Sequence, residues 1–116
     1  MKNALLLAAA LAAAPAIAYA GAAAPLAANT TVVAIRNMHF TPDTLTIAAG
    51  TTVTWINKDE MPHTVTAKGG AFRSAALDTD ERFSHIFAAP GDFIYFCTIH
   101  PLMVGRIVVT AAGKSS

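Results

Sequence analysis

The fold is most clearly indicated by residues 93–110, Phe93-Ile94-Tyr95-Phe96-Cys97-Thr98-Ile99-His100-Pro101-Leu102-Met103-Val104-Gly105-Arg106-Ile107-Val108-Val109-Thr110. Both ends of this stretch are rich in aromatic and β-branched residues, which is typical of β-strands. The middle, from Cys97 to Met103, contains Pro101 and interrupts the strand pattern. We therefore predict two strands, over 93–96 and 105–110, that are joined by a loop.

Short segments of the same kind occur upstream of this stretch. We predict strands over 31–36, 45–47, 51–56, 63–67 and 82–87. Turn signals separate them: Ala48-Ala49-Gly50, Gly69-Gly70 and Ala89-Pro90-Gly91-Asp92. The sequence contains no convincing amphipathic helix, although residues 71–80 fit either a loop or one helical turn. Short strands with frequent turn signals predict an all-β sandwich or barrel.

The N-terminal residues differ from the rest of the chain. Lys2 is the only charge before Arg36, residues 4–14 are apolar, and Ala18-Tyr19-Ala20 fits a small-x-small cleavage site. This pattern is typical of a secretory signal peptide, and we predict cleavage between Ala20 and Gly21. The alternative is an uncleaved membrane anchor, because residues 4–28 are long enough to span a bilayer. A lipid anchor is excluded, because it needs a cysteine at the cleavage site.

Removal of residues 1–20 from the 116-residue chain leaves 96 residues, enough for one small domain. We expect a flexible segment at 21–30, the folded domain at 31–111 and a short tail at 112–116. The mature chain has seven Lys and Arg against seven Asp and Glu. These charges are scattered, which argues against a nucleic-acid partner, since such a partner requires a clustered basic face. We expect a monomer without membrane insertion after cleavage.

Cys97 is the only cysteine in the chain. Export leads to an oxidising compartment, but a single cysteine cannot form an internal disulfide. It is therefore an intermolecular bridge, an inert buried thiol, a metal ligand or a nucleophile. The nearby His100 and Met103 favour the role of ligand.

Three potential metal ligands share the loop, at a spacing of three residues: Cys97, His100 and Met103. His63 lies 34 residues before Cys97. Two imidazoles, one thiolate and a weak axial thioether form the blue-copper electron-transfer site. A Cys/His nucleophile pair is a rival interpretation, but it needs a cleft and an orienting third group. Zinc fits the other ligands, but thioether is not among its usual ones.

The remaining histidines and methionines have simpler interpretations. We interpret His39 and His85 as surface or core residues, and Met38 and Met61 as packing residues rather than ligands. The sequence therefore predicts one metal site.

Two stretches resemble the cupredoxins, the family of type 1 blue-copper proteins. One is Thr52-Val53-Thr54-Trp55-Ile56-Asn57 followed by Met61-Pro62-His63, and the other is Cys97-Thr98-Ile99-His100-Pro101-Leu102-Met103. The resemblance covers residues 31–110. It is greatest to the amicyanins, which share the short Cys-x-x-His-x-x-Met loop, whereas plastocyanin-type loops are longer. Ile99 departs from the pattern, because amicyanins often have proline there.

The resemblance implies an eight-stranded Greek-key β-sandwich with one copper at one end. The metal would be held by Nδ1 of His63 and His100, by the Cys97 thiolate and weakly by Met103. Asn57 matches a position whose side chain ties the two ligand loops together. His100 would be the exposed route for electrons. It would be surrounded by an apolar partner patch of Met61, Pro62, Ile99, Pro101 and Leu102.

These features predict a periplasmic one-electron carrier that cycles Cu(II)/Cu(I) and is not an enzyme. Its partners would be redox proteins: a dehydrogenase or other donor, and a c-type cytochrome or oxidase as acceptor. The alternative is a periplasmic copper-binding transport or resistance protein. Proteins that hand over copper tend to use Met- or His-rich open sites, and the four methionines of this chain are not clustered.

Overall fold

The computed structural model describes residues 25–112. The predicted signal peptide, residues 21–24 and the tail residues 113–116 lie outside this range. Eight strands form the described part: β1 (Thr30–Arg36), β2 (His39–Thr41), β3 (Thr44–Ala48), β4 (Thr51–Asn57), β5 (Thr66–Ala67), β6 (Arg82–Phe87), β7 (Gly91–Phe96) and β8 (Val104–Thr110). Residues 25–112 include no helix long and apolar enough to cross a membrane.

The strands form two four-stranded sheets. One sheet has the order β2-β1-β4-β6 and the other β3-β8-β7-β5. Within them β1 runs parallel to β4, and β3 runs parallel to β8. The predicted all-β sandwich of eight strands is confirmed. Because β7 and β8 pair along six residues, the loop between them starts and ends at fixed points.

Two details of the strand prediction were wrong. The three-residue strand β2 was missed, because it is short and follows Asn37 and Met38, whose φ angles of 52° and 66° turn the chain sharply. The predicted strand over 63–67 is reduced to β5, because His63 forms an isolated bridge to Leu77 instead of continuing the ladder. The described residues between 71 and 80 form no helix.

The core lies between the sheets and is centred on aromatic rings. Trp55 and Tyr95 are fully buried, with ring centroids 5.3 Å apart in an edge-to-face arrangement. Such pairs stabilise a core beyond the burial of their area. Phe72, from the segment between β5 and β6, adds a third ring 5.5 Å from Trp55. This packing holds β4 and β7 in place up to the residues that precede the two ligand loops.

Candidate metal centre

Two loops at one end of the sandwich carry the predicted ligands. Cys97 directly follows β7, and Met103 directly precedes β8. The backbone closes the loop between them, because Cys97 N–H donates to Met103 O at 3.1 Å and Met103 N–H donates to His100 O at 2.8 Å. His63 lies in the connection from β4 to β5, where it exchanges two backbone hydrogen bonds with Leu77, of 3.1 and 2.7 Å.

The ligand atoms of three residues converge on one point. A nitrogen of His63, the Cys97 sulfur and a nitrogen of His100 all lie within 4.8 Å of one another. The Cys97 Sγ atom lies 3.9 Å from His63 Nδ1 and 3.7 Å from His100 Nδ1. A nitrogen and a sulfur that bind one ion at usual bond lengths, with a trigonal angle at the ion, lie about 3.8 Å apart. The donor atoms therefore fit one mononuclear trigonal site, and they include the soft sulfur that copper prefers.

Access to this site runs through a single ligand residue. His63 and Cys97 have no exposed surface and Met103 is 6% exposed, whereas His100 is half-buried. Met103 lies at the base of the loop, with its backbone bonded to both Cys97 and His100. Among these residues only the imidazole of His100 links the centre to the surface.

The Cys97 sulfur receives a hydrogen bond from the opposite loop. Thr64 N–H donates to Cys97 Sγ at 3.3 Å. A donor to a thiolate lowers its electron density, and such bonds around the sulfur tune the redox potential of copper–thiolate sites. The Thr64 side chain joins the two loops directly, because its Oγ1 accepts the N–H of Thr98 at 2.7 Å and lies 2.8 Å from Thr98 Oγ1.

A carboxylate fixes the orientation of the His63 ring. Asp59 Oδ2 lies 2.9 Å from His63 Nε2. An ionised carboxylate only accepts hydrogen bonds, so Nε2 carries the proton and Nδ1 presents its lone pair to the site. Burial disfavours the charged form of Asp59 and so raises its pKa. Hydrogen bonds from the N–H groups of Met38 and Asn37 and from His63 have the larger combined effect and hold the pKa of Asp59 below its usual range.

Asn57 has a different role from the one expected. Its side-chain N–H2 donates to the carbonyls of Met61 at 2.9 Å and Leu77 at 2.8 Å, and its Oδ1 accepts the N–H of Asp59 at 2.9 Å. These bonds organise the loop that carries His63. The side-chain link between the two ligand loops is made by Thr64. This corrects the role expected for Asn57, whose amide supports His63 through the backbone of Leu77.

The five residues of the predicted partner patch are all exposed. Met61 is 49% exposed, Ile99 47% and Leu102 97%, and both Pro62 and Pro101 are exposed. A groove of about 700 Å³ continues the patch from His100 toward His39 and Asp43. Exposed apolar surface of this kind commonly marks an interaction site.

The other histidines are not part of the group of converging ligand atoms. His39 is exposed and its Nδ1 lies 2.7 Å from Asn37 O. His85 is half-buried against Phe72 and Phe87, at centroid distances of 4.9 and 4.8 Å. Met38 packs against the core. Met38 therefore has the packing role that the sequence indicated, whereas Met61 is 49% exposed.

Sequence reasoning missed Asp59, Thr64 and Thr98. Asp59 stands four residues before His63, outside any helix, so no periodicity connects the two side chains. Thr64 and Thr98 each follow a ligand directly along the chain, and that adjacency was the one available signal.

Comparison with known proteins agrees with this geometry. The model of the family described as the cupredoxin-like domain matches residues 4–109. Amicyanin from Paracoccus versutus is 40% identical over 93 residues, which span 76% of this chain and 70% of that protein. The chloroplastic plastocyanin of Tetradesmus obliquus is 32% identical over 110 residues, 80% of this chain and 76% of its own length.

Solved structures give the same result. The reduced form of an amicyanin variant and the Cu(I) form of another each align with a TM-score of 0.68 at 32% identity, covering 72% of this chain and 85% of theirs. The family match extends over most of the sequence and coincides with the sandwich and its cluster of ligand atoms. The chain therefore belongs to the cupredoxin family. Within that family it is similar to amicyanins and plastocyanins.

Proposed function

We propose that this protein is a one-electron carrier with a single type 1 copper held by His63, Cys97, His100 and Met103. The observation that carries the proposal is the convergence of Cys97 Sγ with two histidine Nδ1 atoms at 3.7 and 3.9 Å. The similarity to amicyanins and plastocyanins supports it. The four ligands leave no evident position for a substrate, so the protein is a carrier and not an enzyme.

The chain's own residues account for fast electron transfer. Bound copper supplies the one-electron Cu(II)/Cu(I) couple. The buried His63 and Cys97 exclude water, and Asp59 and Thr64 hold their donor atoms in position. Because the folded sandwich sets these positions, the site needs little rearrangement when the charge changes. His100 carries the electron between the centre and the surface.

The partner patch is the docking surface for redox proteins. Leu102 follows His100 by two positions in the chain and is 97% exposed. We expect an electron donor such as a dehydrogenase, and a c-type cytochrome or oxidase as acceptor. A Leu102→Glu substitution should slow electron transfer to such a protein but not to ferricyanide, because only the protein buries this surface. Equal slowing of both reactions would contradict this docking role.

Export to the periplasm completes the proposal. The leader pattern of residues 1–20 supports cleavage between Ala20 and Gly21. The proposed mature chain then consists of a segment at 21–30, the folded domain at 31–111 and the tail at 112–116. We propose that the mature protein is a soluble monomer. Mass spectrometry of the protein recovered from a periplasmic fraction would check the cleavage, and a retained leader would contradict it.

The alternative, copper transport or resistance, uses the same ligands and predicts different kinetics. A carrier exchanges electrons rapidly while it retains its metal, whereas a transport protein releases Cu(I) readily. The test is electron self-exchange of the copper-loaded protein, measured beside the rate of Cu(I) loss to a chelator. Fast self-exchange with slow metal loss is the result expected. Slow self-exchange with fast metal loss would overturn the carrier proposal in favour of transport.

A further inference from the structure

The hydroxyl of Thr64 lies where the two ligand loops meet the Cys97 sulfur. Thr64 is 7% exposed, so its hydrogen bonds are made within the protein. Its Oγ1 has three polar neighbours: Thr98 N at 2.7 Å, Thr98 Oγ1 at 2.8 Å and Cys97 Sγ at 3.8 Å. The Thr64 backbone N–H already donates to the same sulfur at 3.3 Å.

The single hydroxyl proton of Thr64 has two possible hydrogen-bond acceptors. The Thr64 oxygen accepts the N–H of Thr98, and its single proton is free to be donated. Two acceptors are in reach, Thr98 Oγ1 and Cys97 Sγ. Thr98 is exposed, so its hydroxyl can exchange hydrogen bonds with water in either arrangement. Rotation about the Cβ–Oγ1 bond is enough to turn the Thr64 proton from one acceptor to the other, and no covalent bond has to break.

We propose that Thr64 is a positioning residue whose hydroxyl proton is shared between Thr98 Oγ1 and the Cys97 sulfur, and that it turns toward the sulfur when the site is reduced. The inference rests on the proposed function. Its physical basis is that hydrogen bonds to a more negative acceptor are stronger, and that burial strengthens them further. The sulfur is more negative in the reduced state, because it then donates less charge to the metal.

The two threonines should therefore act on the redox potential in opposite directions. A donor that favours the reduced state raises the potential, so loss of the Thr64 hydroxyl should lower it. Thr98 Oγ1 competes with the sulfur for the same proton. Loss of the Thr98 hydroxyl should therefore raise the potential. A simple structural tie between the loops does not predict opposite signs.

The experiment compares Thr64→Val, Thr64→Ser and Thr98→Val with the wild type, each as the full chain loaded with one equivalent of Cu(II). Two readouts are taken: the potential at an electrode and the energy of the thiolate-to-copper(II) absorption band. Thr64→Val should lower the potential and leave the band nearly unchanged, because the band reports the oxidised site, in which the proton is turned toward Thr98 Oγ1. Thr98→Val should raise the potential and move the band to shorter wavelength, because the proton then has only the sulfur as acceptor. Thr64→Ser keeps the hydroxyl and should restore values close to the wild type.

The outcomes separate this inference from the proposed function. A wild type without an intense thiolate band would overturn the proposed function and the inference with it. A wild type with the band, combined with unchanged potentials or shifts of the same sign in Thr64→Val and Thr98→Val, would overturn the inference alone. If Thr64→Val fails to fold, Thr98→Val decides: a higher potential supports the shared proton, and an unchanged or lower one refutes it.

Discussion

Replacement of Asp59 by asparagine tests how the loop around His63 is held. The Asp59 carboxylate accepts three hydrogen bonds: from Asn37 N–H at 2.6 Å, from Met38 N–H at 2.9 Å and from His63 Nε2 at 2.9 Å. Its side chain is 15% exposed, so water replaces these bonds poorly. Asparagine has almost the same shape but only one acceptor oxygen and no charge.

The size of the effect follows from the donors that remain. At least one of the three donors would face the amide N–H2 of Asp59→Asn instead of an acceptor. Loss of a hydrogen bond to a charged group costs about 1.5–3 kcal/mol, and an unsatisfied buried donor costs a similar amount. We expect the free energy of unfolding to fall by about 2–3 kcal/mol. In a domain of this size, that corresponds to a Tm lower by roughly 8–24 °C.

The assay is urea unfolding of the metal-free protein, with Asp92→Asn as the matched control. Asp92 is exposed, and its ion pair with Arg106 lies on the surface, so its replacement should change stability little. The pKa of Asp59 is lower in the folded state than in the unfolded state. The contribution of the Asp59 carboxylate to the free energy of unfolding is therefore present above the unfolded value of 3.8 and is lost as pH falls through the folded value. The difference between wild type and Asp59→Asn should therefore shrink in acid. An Asp59→Asn protein as stable as Asp92→Asn would refute the reasoning.

Two residues outside the metal centre, His85 and Gly105, test the packing of the sandwich. Burial lowers the pKa of His85 below 6.5, so the metal-free protein should lose stability as pH falls through that value. The substitution His85→Phe should make this loss smaller. Urea unfolding at about pH 5 and pH 8 measures it, and an equal loss in the two proteins would contradict the prediction. A Cβ at Gly105 would overlap the ring of Tyr95, so Gly105→Ala should cost about 1–3 kcal/mol, whereas Gly69→Ala has open space and should be neutral. Equal Tm values for the two alanine variants would show that Tyr95 moves aside.

The sequence predicted the strands best where the pattern is local. In residues 82–87 the pattern sets Phe83, His85 and Phe87 on one face, and the structure has a strand with those bounds. Alternation places Thr54 on the face opposite Trp55, and both residues are buried. Strand β4 lies between β1 and β6, and the Thr54 hydroxyl oxygen lies 2.7 Å from that of Ser84. Strand β2 is too short to give a periodic signal, and a turn with positive φ precedes it.

The candidate ligands were predictable because three of them share one short loop and differ in chemistry from their neighbours. Their supporting contacts were not predictable. Asp59 reaches His63 across an irregular loop, and Thr64 reaches Cys97 from 33 residues away. Such contacts depend on how β4 and β7 pack, and a single sequence carries no signal for the approach of two loops.

The central claim is that Cys97 holds a redox-active copper. The most direct measurement is the visible absorption spectrum of the purified protein after addition of one equivalent of Cu(II), taken beside that of Cys97→Ser. We predict an intense blue band that ascorbate bleaches and ferricyanide restores, and that is absent from Cys97→Ser. A colourless wild type, a faint band typical of copper without a thiolate, or an equally blue Cys97→Ser protein would contradict the claim.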